Sequence, residues 1–162
     1  MTRWLTRTEL TAWVRLAAVL ELLPAAIDAQ LRRDSDLTHF EYYALAMLSE
    51  APGHTLPLNS LARQTNATLP RLSHVVRRLE ERGLIERHPS ARDARVTDAR
   101  LTEHGWAVVE RAAPGHVATV RAAVVDPLTE DQIGQLREIA EAILGRIDAA
   151  GAMREVYHRY DE

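Results

Sequence analysis

Between Arg71 and Arg95 the chain concentrates nine cationic or imidazole side chains: Arg71, His74, Arg77, Arg78, Arg82, Arg87, His88, Arg92 and Arg95. Guanidinium groups stay charged at every physiological pH. Their planar forks match phosphate oxygens and the edge of guanine. The chemistry on offer is therefore recognition of a polyanion, not bond making. The surroundings sharpen the point. Residues 63–100 hold nine Arg against five acids, a local charge of +4, while the chain as a whole carries −3. A basic middle between acidic ends suits a nucleic acid. The plain alternative for such a run is a solvated face laced with ion pairs.

Other chemistries find little support. There is no cysteine among the 162 residues, which removes disulfides, thiolate nucleophiles and Cys-ligated zinc. The seven histidines, at 39, 54, 74, 88, 104, 116 and 158, are scattered, and only Glu155 and His158 share a helical face at ligand spacing. No HExxH, GxSxG or phosphate-cradling glycine loop is present. No metal, no cofactor and no enzymatic activity are expected. No uninterrupted apolar run approaches the roughly 20 residues of a membrane span. The opening MTRWLTRTELTAWVRL lacks the apolar core and cleavage site of a signal peptide. The expected location is the cytoplasm, on the nucleoid when DNA is bound, with no membrane partner.

The elements that must position the cations are mostly helical, as a chain rich in Ala, Leu, Arg and Glu predicts. Apolar spacing predicts a long helix over 7–32, with Thr8 as its cap and a kink at Pro24. Thr38 and Glu41 form a capping box for a helix over 38–50. APGHT at 51–55 reads as a loop. Short helices follow at 57–64 and 68–82, the second capped by Thr68 and ended by Gly83. LIERH at 84–88 and VTDARLT at 96–102 read as a strand pair around a polar loop, with Asp98 weakening the return strand. Thr102 opens a helix that Pro114-Gly115 kinks or breaks before it resumes towards Val125. Thr129 and Gln132 form a second capping box, with Leu128 and Ile133 as staple, for a helix to about Ile147. The tail from 150 reads as a short helix or as frayed.

Helices 57–64 and 68–82 have the pattern of a helix-turn-helix. Leu61 and Ala62 permit close approach, Asn66 tolerates the left-handed turn, and Leu72 and Val75 pack the second helix back. On a helical wheel, Leu69, Leu72, Val75, Val76 and Leu79 share one face. Pro70, His74, Arg77, Arg78 and Glu81 lie opposite, with Arg71 at the margin. Such a helix fits a major groove, with Arg71 and His74 towards base edges and Thr68, Arg77 and Arg78 towards phosphates; Pro70 and Ser73 lie on the same approach. In the hairpin loop, Arg92, Asp93 and Arg95 suit the minor groove, with Asp93 orienting Arg95.

The string LSHVVRRLEERGLIERHPSARDARVTDARLTEHG resembles the MarR family of bacterial transcriptional regulators. Asp93-Ala94-Arg95 is similar to that family's wing motif, and Leu101-Thr102-Glu103-His104-Gly105 to the Leu-Thr-x-x-Gly that follows it. The resemblance covers most of residues 7–149. It departs at Thr97 and Asp98, where apolar residues are usual, so a short or irregular second wing strand is expected. It implies one mostly α domain with a small β wing. Segments 7–33 and 103–149 would be dimerisation helices, 38–102 the winged helix-turn-helix and 150–162 a tail. It implies a homodimer on an inverted-repeat operator in double-stranded DNA, a repressor released by a small aromatic or anionic effector. The stripe Ile133, Leu136, Ile139, Ala140, Ile143, Leu144 and Ile147 is consistent with a helix shared between chains. An effector cleft between the dimer helices and the winged helix would draw on Trp13, His39, Tyr42, Tyr43 and Trp106. The alternative is a winged helix used for protein–protein contact with little sequence-specific DNA binding.

Overall fold

A computed structural model describes residues 1–161. Helix α1 (Arg7–Ser35) opens the fold. Its cap is Thr6, two residues before the expected Thr8. Thr6 has a glutamate three positions on, so the Glu9 amide donates to Thr6 Oγ1 and the Thr6 amide to Glu9 Oε2; Thr8 has only Thr11 there, which cannot complete a capping box. The helix runs through Pro24 and ends at Asp36, whose left-handed φ of 52° is one that aspartate tolerates. By length and composition alone α1 is apolar enough to cross a membrane. Arg15 and Glu21 interrupt it, however, and Ile27 and Leu31 are core residues.

Helix α2 (His39–Glu50) starts at the Thr38–Glu41 capping box. The expected loop at 51–55 is instead a single 3₁₀ turn, Pro52–His54, followed by a three-residue strand, β1 (Thr55–Pro57). Helices α3 (Leu58–Gln64) and α4 (Leu69–Glu81) meet at a turn where Asn66 has φ 49°. Strands β2 (Ile85–Pro89) and β3 (Thr97–Leu101) complete an antiparallel sheet of order β1-β3-β2. The return strand is therefore the central one and runs regularly through Asp98, which pairs with Pro57 on one side and His88 on the other. The expectation of an irregular strand fails because ladders on both edges hold it, and that outweighs a poor strand former.

One core fills the space between α1, α2, α3, α4, the sheet and the helix that follows it. Leu31, Leu37, Leu45, Leu48, Leu61, Leu72, Val76, Leu79, Leu84 and Ile85 have almost no solvent contact. Leu69 does not join them; it is 47% exposed at the first turn of α4. Helix α5 (Glu103–Val120) is capped by Thr102 and continues unbroken through Pro114 into a π turn at Arg121–Val125. The expected break is overridden because α5 is laid along α1, so closely that a Cβ on Gly115 would stand 2.9 Å from Gln30 Nε2. Helix α6 (Glu130–Ile147) starts at the Thr129–Gln132 box and buries none of its residues within the chain. The last short helix, α7 (Arg154–Tyr157), does not fray. Val156 packs on the core, Arg159 pairs with Glu50, and the Tyr160 hydroxyl donates to Glu50 Oε2 at 2.9 Å. Glu162, the last residue of the expected tail, lies outside the described residues.

Gly105 locks α5 to the sheet. Its amide donates to Thr102 Oγ1, and the Thr102 hydroxyl donates to Gly83 O. A Cβ at 105 would sit 2.1 Å from the Leu84 carbonyl oxygen and 2.7 Å from Leu101 Cδ1. Backbone cannot yield as a side chain can. Gly105→Ala is therefore expected to destabilise the fold by about 1–3 kcal/mol or more despite alanine's better helix propensity, measured by urea unfolding. An unchanged midpoint would show that α5 shifts freely on the sheet.

Candidate nucleic-acid interface

Helix α4 forms because Thr68 caps it and because Leu72, Val76 and Leu79 recur on one side and are fully buried. The Arg71 amide donates to Thr68 Oγ1 at 3.4 Å, and Pro70 sits in the first turn, where no N–H is missed. Thr68, Pro70, Arg71, His74, Arg77 and Arg78 are all exposed, and Ser73 is half-buried. Sequence reasoning thus placed the two faces of α4 correctly except at Leu69.

The cations of α4 are not equivalent. Arg77 Nη2 lies 3.0 Å from His74 Nδ1, so these two share the outer face. Arg71 is drawn to the flank, its guanidinium 4.3 Å from the centroid of the Phe40 ring. Arg78 Nη2 stands 3.2 Å from the buried Glu41 carboxylate while half of the side chain stays in solvent. Arg82 reaches the same corner and donates to the Asp36 carbonyl at 3.0 Å.

The wing is tied to α4 at its base. Glu80 accepts from the Arg87 amide at 3.1 Å and from Nε and Nη2 of the Arg87 side chain at 2.9 and 2.6 Å. This fork holds the Glu80 carboxyl below the usual carboxylate range. At the tip, Arg95 grips Asp93 through two parallel bonds, Nε–Oδ1 at 3.1 Å and Nη2–Oδ2 at 3.0 Å. Bonding to Arg95 lowers the Asp93 pKa, and the Arg95 guanidinium is raised in return. An ion pair this exposed is screened by solvent, so the bond orients Arg95 more than it stabilises the fold. Arg92 is exposed beside them.

A cleft of about 540 Å³ opens between α1, α2 and α4, lined by Pro24, Asp28, His39, Tyr43, Arg71 and Arg78 among others. Of the five aromatic or imidazole residues expected there, His39 and Tyr43 line it. Tyr42 is turned the other way and lies 4.7 Å from the His116 ring of α5. Trp106 packs on His54, also at 4.7 Å, and Trp13 is exposed half a helix away on α1. The residues that sequence reasoning missed in the cleft are Phe40, Arg71 and Arg78. No local signal could have placed them, because the cleft joins three separate helices. Among the described residues no group of three His, Asp or Glu side chains is placed to hold a metal, and His158 faces Glu141 and Asp161 instead of pairing with Glu155.

Comparison with known proteins agrees with this fold. The family model described as MarR family matches residues 35–96. An HTH-type transcriptional repressor of Mycobacterium tuberculosis is 36% identical over 110 residues, covering 66% of this chain and 75% of that protein. A MarR family transcriptional regulator from Streptomyces coelicolor, solved in complex with DNA, is 39% identical with a TM-score of 0.86, over 90% of this chain and 91% of that one. AbsC, a MarR family transcriptional regulator from the same organism, is 36% identical with a TM-score of 0.83, over 90% and 100%.

Beside the cleft, burial holds the imidazoles of His39 and His116 below their ordinary 6.5; the Asp28 carboxylate works against this at His39, and the charge of His39 adds to it at His116. A folded pKa below the unfolded one means that the unfolded chain binds protons first. The stability contribution is then complete above about pH 6.5 and is lost as pH falls below it. The melting temperature is expected to drop between pH 7.5 and 5.5, and less so in His116→Phe, which keeps a ring against Tyr42. A flat profile for the parent protein would show that neither imidazole is held neutral.

Proposed function

The chain belongs to the MarR family of transcriptional regulators, and we propose that it is a homodimeric repressor reading an inverted-repeat operator. Each protomer lays α4 in a major groove and its wing tip in the adjoining minor groove. The observation that carries this reading is the exposure of cationic and polar side chains on both α4 and the wing tip. Thr68, Pro70, His74 and Arg77 are exposed on the first, with Ser73 half-buried beside them, and Arg92 and Arg95 are exposed on the second. His74 and Arg71 take base edges. Thr68, Arg77 and the outer edge of Arg78 take phosphates. Arg71 must leave Phe40 to do so; an exposed cation–π contact costs about 0.5–1 kcal/mol to break, less than the roughly 1–3 kcal/mol of a bidentate base contact. Arg95, aimed by Asp93, enters the minor groove, where the negative potential is deepest.

Dimerisation is supported by what one chain leaves uncovered. Leu10, Trp13, Val14 and Leu20 on α1 and Ile133, Leu136, Ile139, Ile143 and Ile147 on α6 are all exposed, Ile139 by 58%. Apolar stripes of this extent left in water mark an interface. A second copy supplies matching stripes and brings two α4 helices to one face of a duplex. The α1–α2–α4 cleft suits a small aromatic or anionic effector, because Arg71 and Arg78 face it beside Phe40, Tyr43 and Pro24. An anion held there draws on cations that α4 uses outside, which releases DNA. The protein acts in the cytoplasm, makes no covalent change to its ligand and needs no cofactor.

The deciding experiment is selection of random duplex DNA against the purified protein at physiological salt. Enrichment of an inverted repeat with half-sites about one helical turn apart is expected. Binding without sequence preference would refute the proposal. With that operator as probe, Arg95→Ala is expected to abolish most affinity while leaving the sedimentation of the dimer and its melting temperature unchanged. Arg71→Ala is expected to relax preference at one base pair per half-site, at a cost of about 1–3 kcal/mol. A uniform loss over all sequences would make Arg71 a phosphate contact.

A further inference from the structure

Helix α4 is fastened unevenly. Its backbone packs on α3 and β2, inside the winged helix. Towards the α1–α2 corner it is held by charged side chains, and these converge on one carboxylate. Glu41 is 2% exposed. Its Oε2 accepts from the Thr38 amide at 2.8 Å, closing the cap of α2. Arg78 Nη2 approaches its Oε1 at 3.2 Å and Arg82 Nη1 its Oε2 at 3.9 Å. Arg82 also donates to the Asp36 carbonyl at the end of α1, and Arg32 lines the same small cavity of about 210 Å³.

A capping glutamate needs no partner beyond the amide it caps, and most remain in solvent. Glu41 is buried, and a buried carboxylate is tolerated only where cations face it. The two cations within 4 Å of it come from the C-terminal end of α4, Arg78 in its last turn and Arg82 at its cap, while Arg32 of α1 acts on it from farther off. Its Oε1 makes no hydrogen bond of its own, so the tie at that atom is charge alone. Charge acts over distance and favours one seat of α4 in which Arg78 and Arg82 flank the carboxylate together. That seat sets the angle at which the recognition helix leaves the corner of the dimer helices.

We propose that Glu41 is a positioning residue for DNA recognition, acting through Arg78 and Arg82 to fix the seat of α4 against the α1–α2 corner. The inference rests on the reading of α4 as the operator-contacting helix. Glu41 touches no DNA. What it governs is the alignment of both α4 helices at once, and hence discrimination between operator and random sequence.

The test compares Glu41→Gln with the parent protein on the selected operator and on a scrambled duplex. Glutamine keeps the shape and the acceptor for the Thr38 amide and removes only the charge. Operator affinity is expected to fall about ten-fold, the equivalent of one well-made base contact, while affinity for scrambled DNA and its salt dependence hold. A purely structural role would lower both affinities together with the melting temperature. Arg82→Gln removes one of the two ties without leaving Glu41 unpaired, and a smaller loss of discrimination is expected from it. An unchanged ratio of operator to scrambled affinity in either folded variant overturns the proposal, and if Glu41→Gln does not fold, Arg82→Gln decides alone. Failure of the parent protein to prefer the operator would instead overturn the reading of α4.

Discussion

The constraint on which the architecture turns is that one chain cannot cover its own helices. The winged helix closes its core within one chain, from Leu45 and Leu48 through Leu72 and Leu79 to Ile85, with Ile27 and Leu31 of α1 and Val108 and Val109 of α5 completing it. Helix α6 buries nothing, and the first two-thirds of α1 buries almost nothing, although both carry apolar stripes. At about 25 cal/mol per Å² of apolar area, leaving such stripes in water forfeits many kcal/mol, comparable with the whole stability of a small domain. The α1 and α6 stripes are what the proposed second copy would cover, while the core of the winged helix is already closed within one chain. That division leaves Thr68, Pro70, His74 and Arg77 of α4 exposed, outside the core.

Within the winged helix, polar contacts do a different job from the core. Glu80–Arg87 fixes the base of the wing, Asp93–Arg95 fixes its tip, and Glu41 with Arg78 and Arg82 fixes the corner. The two wing pairs lie at the surface and are screened by solvent, and the cations at the buried Glu41 mainly offset the desolvation of its carboxylate, so these contacts would not by themselves hold a fold together. Their value is directional. A fork of two hydrogen bonds sets the plane of a guanidinium, which an apolar contact cannot do. Recognition needs that precision because a base edge is satisfied over a few tenths of an ångström.

What the sequence disclosed, and what it withheld, divides along the same line. Thr38 with Glu41, Thr129 with Gln132, Thr68 and Asn66 were legible because a cap or a turn is decided within four residues. The faces of α4 were legible because helical period repeats. Strand β1 was not, since three residues carry no period, and Thr55–Pro57 becomes a strand only when β3, some forty residues on, lies beside it. Asp98 misled for the same reason: its neighbours on both sides decide its conformation. Pro114 misled because packing along α1 outweighs the lost hydrogen bond. Trp13 and Trp106 were drawn to the cleft by residue type alone, whereas the cations that do line it had already been assigned to DNA.

That double assignment is itself informative. Arg71 and Arg78 stand seven residues apart, hence on nearly one line along α4, and each has one edge towards the cleft and another towards solvent. Neither can serve an anion on both sides at full strength, because a guanidinium has one set of donors in one plane. On the proposed reading, an anion in the cleft and DNA outside would compete for the same side chains, without any requirement for a large movement of the backbone. The coupling is reciprocal: whatever the cleft takes from DNA affinity, DNA takes from the cleft. Glu41 moderates the exchange. As the fixed anion behind Arg78, it supplies a third place for that charge to rest, and so keeps α4 seated whichever of the other two is empty.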